Sequence, residues 1–428
     1  MKLNGKTINK SLRMILTLAT AMILAFATVG IASADPKTDH GIGQKHSQNS
    51  QWIGSWTASP QAPYSGGISH KGFTNKTVRM IVHPHMDGKA LRIRFSNTFG
   101  TKPLTFGEVH VATSAKEATI VSGSDHQVTF GGDSSITIPV GAEVLSDPVP
   151  LDVNSGQDLT ISVYVPGNSG PTTWHSLSNQ TSYVSSSGNH TEEAKASSFK
   201  TKVNAWFWID GVDVKAKRSV KGAVVTLGDS ITDGYNSTLN ANHRWPDFLA
   251  KRFNEGPLGQ QMAVLNEGIS GNEILDNSAT AGVSALARLD RDVFSQTGVT
   301  DVILLEGIND IGHYPHTYDA DKIISGMKQI IAQAHAHGLK IYGGTLTPFK
   351  GAGGGYYTPR GEQTRLTVNH WIRTSGAFDG VIEFDKAIRD PEHPHQMLPK
   401  YDSGDHLHPN DAGYKAMAEA INLSMLSH

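Results

Sequence analysis

The chain has 428 residues, of which 38% are hydrophobic and 18% charged, a balance typical of folded globular proteins with room for two domains. Its formal net charge of −2 provides no broad basic field that would attract nucleic acid. Cysteine is absent, which excludes disulfides, thiolate metal ligands and cysteine nucleophiles.

The first 34 residues have the features of a signal peptide. A basic n-region precedes an apolar run at 14–31, and the small-x-small sequence Ala-Ser-Ala follows at 32–34. We predict cleavage after Ala34, which makes the mature protein secreted, extracellular and free of a membrane span. An uncleaved anchor is the alternative, because the run is near the lower length limit for a span. Residues 35–50 are polar and are predicted to form a disordered leader.

Residues 51–215 contain short segments with β-type patterning and no helical pattern of any length. LRIRF at 91–95 and LTISVYV at 159–165 alternate with period two, as half-buried antiparallel strands do. We predict an antiparallel β-sandwich or jelly-roll domain whose topology stays open. The candidate strands are 77–86, 90–97, 108–113, 135–140, 158–166 and 204–214.

Trp206 and Trp208 alternate on the last candidate strand. This spacing predicts that one ring faces the core and the other the surface. A surface tryptophan could stack on a sugar, but packing in the core or between domains is the simpler interpretation.

A second domain is predicted at 220–428, after a basic connector at 214–222. Continuous apolar runs alternate here with helix-like segments, the pattern of a parallel sheet covered on both faces. The predicted strands are 223–227, 263–268, 302–307, 340–346 and 380–384, and the predicted helices are 244–254, 281–296, 318–338, 359–375 and 410–426.

Chemically competent residues follow these strands at their carboxyl ends, where α/β sheets bind ligands. The residues are Gly228, Asp229 and Ser230 after the first strand, Gly268 and Gly271 after the second, Asn309 and Asp310 after the third, and Asp402, Asp405, His406 and His408 before the last helix. Acyl transfer needs such a set: a serine, a histidine base, a carboxylate that orients the histidine, and donors for the developing oxyanion. The amides of Ser230 and Gly271 and the side chain of Asn309 could be those donors.

These blocks resemble the SGNH/GDSL family of serine esterases. The matching sequences are GDSITDG at 228–234, NEGISGN at 266–272, GINDI at 307–311 and DHLHPN at 405–410. They occur in the order and at the spacing of the family, over about half the chain. Ile231 departs from the leucine of the naming motif, an apolar exchange that should leave the chemistry intact.

The resemblance implies a role for each matching residue. Ser230 would be the nucleophile, Asp405 and His408 would complete the triad, and Gly271 and Asn309 would join the Ser230 amide in the oxyanion hole. It also implies a flavodoxin-like three-layer α/β sandwich with a five-stranded parallel sheet. An N-terminal β domain that begins near WIGSWTASP, at 52–60, resembles secreted bacterial members.

Each candidate residue also has a purely structural interpretation. Ser230 could be a helix N-cap, Asn309 could form an Asx turn, Gly271 could serve a turn, and His408 could be a loop residue without a role. Their joint occurrence at successive strand ends favours catalysis. Asp402 with His406 is a second possible pair, since spacing alone fits either; the family pattern chooses Asp405 with His408.

We expect no metal and no cofactor. The three His-x-His pairs, 83/85, 393/395 and 406/408, lack the H-E-x-x-H pattern of zinc hydrolases. GAGGGYY at 351–357 fits neither a dinucleotide nor a P-loop fingerprint, and we interpret it as a mobile loop above the active edge. Tyr356 and Tyr357 could contact substrate there or merely pack.

Two classes of function remain. The favoured one is a secreted carboxylic-ester hydrolase that acts on acylated polysaccharide, for example on acetyl groups, or on small acyl esters; lipid and lysophospholipid esters stay possible. The other is a catalytically silent protein whose β domain binds glycan. The acyl group, the alcohol and the oligomeric state do not follow from the sequence.

Overall fold

The computed structural model describes residues 51–257 and 260–426, which belong to one compact unit. The predicted signal peptide and leader lie outside the described residues. The described chain contains no helix that is both long and apolar enough to cross a membrane.

Residues 52–216 form a β-rich part. Its elements are β1 Trp52–Thr57, α1 Gly67–Lys71, β2 Lys76–Val82, β3 Gly88–Ser96, β4 Leu104–Phe106, β5 Glu108–Lys116, β6 Thr119–Ile120, β7 His126–Val128, β8 Ile136–Ile138, β9 Glu143–Leu145, β10 Leu159–Val165, β11 Trp174–His175, β12 Ser182–Ser187, β13 Phe199–Val203, β14 Trp206–Phe207 and β15 Ile209–Ala216. The five-residue helix α1 departs from the prediction that this part contains no helix.

Two antiparallel sheets make up most of this part. One has the strand order β1-β15-β3-β9, and the other has the order β13-β12-β2-β10-β5-β6, with β7 also paired to β5. Alternate residues of β2, β3 and β10 are buried in a common hydrophobic core. The antiparallel β-rich architecture predicted for this part is therefore present.

Trp206 and Trp208 are both buried, with exposed fractions of 5% and 1%. The surface position considered for one of them is therefore wrong, whereas packing in the core, the simpler interpretation, is confirmed. Trp208 has a φ of +61°, which interrupts the predicted strand between β14 and β15 and ends the period-two alternation there. The Trp206 indole donates a hydrogen bond to the carbonyl of Ile81 at 2.7 Å, so its polar edge is satisfied inside the core.

Residues 223–426 form the α/β part. Its elements are β16 Ala223–Gly228, α2 Ser230–Asp233, α3 Trp245–Glu255, β17 Ala263–Gly268, α4 Ala285–Leu289 with a π-helical turn at Asp290–Phe294, β18 Val299–Leu305, α5 Ile308–Gly312, α6 Ala320–Ala336, β19 Lys340–Gly344, α7 Pro359–Thr374, β20 Gly380–Ile382, α8 Phe384–Ile388 and α9 Asp411–Glu419 with a 3-10 turn at Leu423–Met425. Two helices are shorter than predicted. Helix α4 begins at Ala285 and not at 281, and helix α9 ends at Glu419 and not at 426.

The five strands of this part are parallel and have the order β17-β16-β18-β19-β20. This is the flavodoxin-like 2-1-3-4-5 order, in which the ligand edge lies at the carboxyl ends beside the first strand. Every residue of β16 is buried, as its continuous apolar run predicts. The predicted α/β fold is thus confirmed.

The β-rich part packs against β17, the edge strand of the parallel sheet. A Cβ on Gly54 would lie 2.9 Å from a methyl group of Leu265, so the two backbones approach closely. Thr57 Oγ1 donates to the carbonyl of Asn266 at 3.2 Å, and Ser59 Oγ donates to Glu267 Oε2 at 2.6 Å. The β-rich part therefore covers the sheet edge that carries the glycine block.

Candidate active site

Ser230 is the first residue of helix α2, directly after strand β16. Asp229 is the N-cap, and its carboxylate accepts the Ile231 amide hydrogen at 2.9 Å, so the N-cap interpretation of Ser230 is wrong. Gly234 ends the four-residue helix in the left-handed region, with a φ of +97°. These two caps hold a short turn that presents Ser230 at the sheet edge.

Two glycines let this turn lie against the strand ends. A Cβ on Gly228 would come within 2.2 Å of Thr232 Oγ1 and 2.6 Å of the Leu305 carbonyl oxygen. A Cβ on Gly268 would come within 2.2 Å of the Asp233 backbone nitrogen. Side chains at either position would push α2 away from the sheet, because real Cβ atoms do not tolerate such contacts.

Ser230, His408 and Asp405 form a continuous chain of hydrogen bonds. Ser230 Oγ lies 2.8 Å from His408 Nε2, and His408 Nδ1 lies 2.7 Å from Asp405 Oδ2. The serine is nearly buried, and the histidine has an exposed fraction of 9%. The geometry is that of a nucleophile, a base and a group that orients the base.

Asp405 is held as a carboxylate by donors on both of its oxygens. Its Oδ1 accepts the backbone amide hydrogens of Leu407 and His408, at 3.0 and 2.8 Å. Its Oδ2 accepts a second hydrogen bond from Asn236 Nδ2 at 3.0 Å. Burial by itself would raise the pKa of Asp405, but the hydrogen bonds from His408 outweigh it and keep the pKa well below its usual range.

Asp402 and His406 form a separate pair on the same loop. His406 Nδ1 lies 2.6 Å from Asp402 Oδ2, and the imidazole is more than half exposed. His406 has a φ of +64°, and its ring lies against the backbone at Gly351. Spacing left this pair open, whereas the structure brings His408, and not His406, to Ser230.

The other two predicted groups, Gly271 and Asn309, lie in the loop after β17 and at the start of α5. Gly271 has a φ of +81°, and a Cβ there would lie 3.0 Å from the Ala281 side chain. Asn309 Nδ2 donates to the carbonyl of Asn272 at 2.9 Å. An amide NH₂ carries two hydrogens, so the second one is available to a further acceptor.

Tyr356 orients Asn309, a contact that sequence reasoning missed. The tyrosine hydroxyl donates to Asn309 Oδ1 at 2.8 Å. Its ring packs against the backbone of Gly312 and the ring of Phe349. The loop at 351–357 thus reaches the site, as predicted, and Tyr356 acts there through Asn309. The two tyrosines of GAGGGYY are the signal that could have pointed to this contact.

Arg288 links the ends of strands β16 and β17, a contact that no sequence motif indicated. Its guanidinium is fully buried and donates to the Gly228 carbonyl at 3.0 Å and to Asn272 Oδ1 at 3.0 Å. It also donates to the Glu267 carbonyl at 2.7 Å and to Asp292 Oδ2 at 3.0 Å. One side chain therefore ties the exit of β16 to the exit of β17.

Asp233 joins helix α2 to the glycine loop and to the β-rich part. Its Oδ2 accepts hydrogen bonds from the Ser270 amide at 3.0 Å and from Ser270 Oγ at 2.6 Å. Its Oδ1 lies 3.1 Å from His175 Nε2, on strand β11. Burial would lower the pKa of His175, but the charge of Asp233 outweighs it and raises the pKa above its ordinary value.

Three buried carboxyl groups near the site residues, those of Asp229, Glu306 and Asp310, have pKa values above their ordinary range. Burial raises the pKa of Asp229 to about 6, against the opposing hydrogen bond from Ile231. Burial also raises the pKa of Asp310 to about 7, although this side chain accepts two backbone amides. Glu306 is fully buried, and burial together with the Asp229 charge raises its pKa well above the usual range. At all three positions, burial favours the neutral carboxylic acid over the carboxylate.

Side chains that could together bind a metal ion lie in the β-rich part. Among the described residues, the group with ligand atoms near enough to hold an ion is Glu108, His110 and Glu192, within 4.8 Å of one another in the β-rich part. Each histidine of the three His-x-His pairs contacts a carboxylate instead: His83–Asp158, His85–Asp247, His393–Asp390, His395–Glu362, His406–Asp402 and His408–Asp405.

Residues 226–416 match the sequence model of the GDSL-like Lipase/Acylhydrolase family. The matched range contains all four sequence blocks around Ser230, Gly271, Asn309 and His408. No curated protein matches the chain.

Solved structures resemble about half of the chain. A GDSL-like lipase from Bacteroides thetaiotaomicron is 20% identical, with 48% of this chain and 88% of that chain covered and a TM-score of 0.38. A carbohydrate acetylesterase from Sinorhizobium meliloti is 19% identical, with coverages of 46% and 95% and a TM-score of 0.37. An acetylxylan esterase from Geobacillus stearothermophilus is 20% identical, with coverages of 48% and 94% and a TM-score of 0.36.

Proposed function

We propose that the chain, a carboxylic-ester hydrolase whose residues 226–416 match the GDSL-like lipase/acylhydrolase family, works through Ser230, His408 and Asp405. The observation that carries this proposal is the hydrogen-bonded chain from Ser230 Oγ to His408 Nε2, at 2.8 Å, and from His408 Nδ1 to Asp405 Oδ2, at 2.7 Å. No other residues need to move for a proton to pass from the serine to the histidine.

In the proposed reaction, Ser230 Oγ attacks the ester carbonyl carbon while His408 Nε2 takes the hydroxyl proton. Asp405 keeps the other ring nitrogen protonated and stabilises the imidazolium that forms. The imidazolium then gives its proton to the leaving alkoxide, and the acyl group stays on Ser230. Water then attacks this acyl-enzyme while His408 Nε2 takes a proton from it. The imidazolium returns that proton to Ser230 Oγ as the carboxylic acid leaves.

The negative charge on the carbonyl oxygen needs donors that are already in place. We assign this role to the backbone amides of Ser230 and Gly271 and to Asn309 Nδ2. The free second hydrogen of the Asn309 amide supports the assignment, because the contacts to Asn272 and Tyr356 fix the plane of that group.

The proposed substrate is an ester outside the cell, either an acylated polysaccharide or a small acyl ester. The predicted signal peptide supports export, and a β-rich part joined to a hydrolase suits a polymeric substrate. Lipid and lysophospholipid esters remain the alternative acyl donors. Export is tested by mass spectrometry of the protein recovered from culture medium, which should begin at Asp35. A chain that keeps residues 1–34 and stays with the membrane would overturn it.

The catalytic assignment is tested on purified protein with p-nitrophenyl acetate. Ser230→Ala should abolish turnover and leave the melting temperature unchanged, because the hydroxyl is lost but little packing is. A fluorophosphonate should label the unmodified enzyme at Ser230 alone. Ser295→Ala, which changes an exposed serine in the same part of the chain, is the matched control. An active Ser230→Ala protein, or labelling at another serine, would reject the assignment and leave the silent glycan-binding protein as the alternative.

A further inference from the structure

A cleft of about 750 Å³ opens directly beside Gly271. One wall is the loop from Glu273 to Ala281, and the other is the segment from His313 to Pro315 after helix α5. Tyr64, from the β-rich part, completes the rim. Because Gly271 is a proposed oxyanion donor, a group bound in this cleft would be joined to the ester bond under attack.

The walls of the cleft are polar. Carboxylate, amide and hydroxyl side chains dominate them, namely Glu273, Asp276, Asn277, Ser278 and Thr280. Within the described ranges, the aliphatic side chains of the lining are Ala281 and Pro315. A fatty chain is stabilised by about 25 cal/mol for each Å² of apolar surface that leaves water, and in this cleft the polar surface exceeds the apolar surface.

The charge of the cleft disfavours anions. Glu273 Oε1 lies 2.8 Å from His313 Nδ1, and Asp276 adds a second, exposed carboxylate. A phosphate headgroup or a uronic acid would therefore meet like charge at close range. Neutral groups that accept and donate hydrogen bonds meet no such penalty.

Two tyrosine rings provide flat surfaces at the rim. Tyr314 is 90% exposed, so its ring is open to a ligand at the rim. Tyr64 packs edge-to-face on Trp174, with ring centroids 4.6 Å apart, so its orientation is fixed before a ligand arrives. The rim thus combines a ring held by Trp174 with a ring that is almost fully exposed.

We infer that this cleft binds the alcohol part of the ester and that this part is a neutral polyhydroxylated ring, such as a sugar residue. The inference rests on the proposed function of Ser230. A sugar ring presents hydroxyls to Asp276, Asn277 and Thr280 and a face of C–H groups to the tyrosines. A quaternary ammonium alcohol would also suit rings and carboxylates, but it makes no use of the amide and hydroxyl groups and would fill only a small part of the volume.

The test compares three acetyl esters that differ in the alcohol with one lipid ester that differs in both parts. Partly acetylated xylo-oligosaccharides are the sugar probe, acetylcholine is the ammonium probe, and methyl acetate has an alcohol too small to reach the walls. Lysophosphatidylglycerol provides an anionic lipid ester. Acid release is followed at constant pH, and we expect the highest kcat/KM for the oligosaccharides.

Tyr314→Ala and Asp276→Ala change exposed side chains, so both proteins should fold. Each should raise KM for the oligosaccharides by about three- to tenfold, the loss of one stacking or hydrogen-bonding contact, with kcat largely kept. Their kcat/KM for methyl acetate should stay within about twofold of the parent enzyme. Glu419→Ala removes an exposed carboxylate on α9, outside the cleft, and should change none of these values.

Two results would overturn the inference while leaving the proposed function in place. One is an unchanged oligosaccharide KM in both cleft variants of an enzyme that still hydrolyses methyl acetate. The other is a higher kcat/KM for acetylcholine or lysophosphatidylglycerol than for the oligosaccharides. An enzyme that hydrolyses none of the four esters would instead overturn the proposed function.

Discussion

Ser230 and His408 are 178 positions apart in the chain and hydrogen-bonded at 2.8 Å in the fold. Local spacing in the loop at 402–410 could not choose between the two histidines. His406 follows Asp402 by four residues and His408 follows Asp405 by three, and either spacing allows a hydrogen bond. The choice depends on which imidazole reaches a serine on another element. That is a property of the tertiary structure, and it can be tested one residue at a time.

We predict that His408→Ala lowers kcat as far as Ser230→Ala does, and that the double variant is no worse, since members of a triad act as a unit. His406→Ala is the matched control and should keep most of the activity, because its imidazole pairs with Asp402 instead. The kcat of all four proteins on p-nitrophenyl acetate decides the matter. An inactive His406→Ala protein beside an active His408→Ala protein would contradict the assignment.

Tyr356 is the second residue-scale prediction. Tyr356→Phe removes the hydroxyl that holds Asn309 Oδ1 at 2.8 Å but keeps the ring. We expect kcat to fall by about tenfold, from a less ordered oxyanion donor, with KM nearly unchanged. Asn309→Ala removes the donor itself and should cost about 10²- to 10³-fold in kcat.

Tyr357→Phe is the control for this change, because the Tyr357 ring also packs on Phe349. Its kcat should stay at the parent value. Equal losses in the two tyrosine variants would mean that the loop contributes through packing alone.

At the scale of single elements, the short helix α2 depends on the space left by glycines. We predict that Gly228→Ala lowers the free energy of unfolding by about 1–3 kcal/mol and nearly abolishes kcat, because the new Cβ meets Thr232 Oγ1 and the Leu305 carbonyl. Urea unfolding and p-nitrophenyl acetate turnover measure the two effects. Gly353→Ala is the control, since a Cβ there has no atom within 4 Å. Full activity of Gly228→Ala would show that α2 can shift without loss of function.

At the scale of the whole molecule, the β-rich part supports the site and covers the sheet. A chain that begins at Ala216 would lose His175, the partner of Asp233, and Ser59, the donor to Glu267. We predict that it keeps the α/β fold but turns over p-nitrophenyl acetate more slowly and acetylated polymer hardly at all. Circular dichroism and the two assays check this outcome. Complete insolubility would instead show that 51–215 and 220–428 fold as one unit, contrary to the predicted domain division.

The second whole-molecule prediction concerns pH. Glu267 lies at the junction of the two parts, and burial, reinforced by the charge of Asp292, raises its pKa to about 8. Between the ordinary glutamate pKa and this value, the folded chain binds a proton that the unfolded chain has released. The free energy of unfolding therefore falls as the pH rises through this window, by on the order of 1 kcal/mol per pH unit from this group.

Glu267→Gln should remove that slope. Its stability relative to the parent protein should increase from pH 5 to pH 8 and then level off, as measured by urea unfolding at each pH. Glu255→Gln changes an exposed carboxylate on α3 and should run parallel to the parent. A constant difference between Glu267→Gln and the parent across this range would mean that Glu267 is ionised in the folded protein.

Much of the α/β part was predictable, because its signals are local. Continuous apolar runs identified all five parallel strands, and residues at their carboxyl ends, such as Ser230 and Asn309, were expected at one edge. The ends of helices were less predictable. Helix α9 stops at Glu419 although its apolar pattern continues, since periodicity reports which face is buried and not where backbone hydrogen bonding ends.

Side-chain period and strand-end motifs depend only on near neighbours in the chain, so they were enough to predict the sheet, its ligand edge and the residue types gathered there. The three-dimensional fold was needed to show that His408 contacts Ser230, that Trp208 is buried, and that Tyr356 and Arg288 support the site residues. Each of these contacts joins segments whose distance is set by sheet register and core packing. Such distances are fixed only when the whole chain has folded, and no local pattern encodes them.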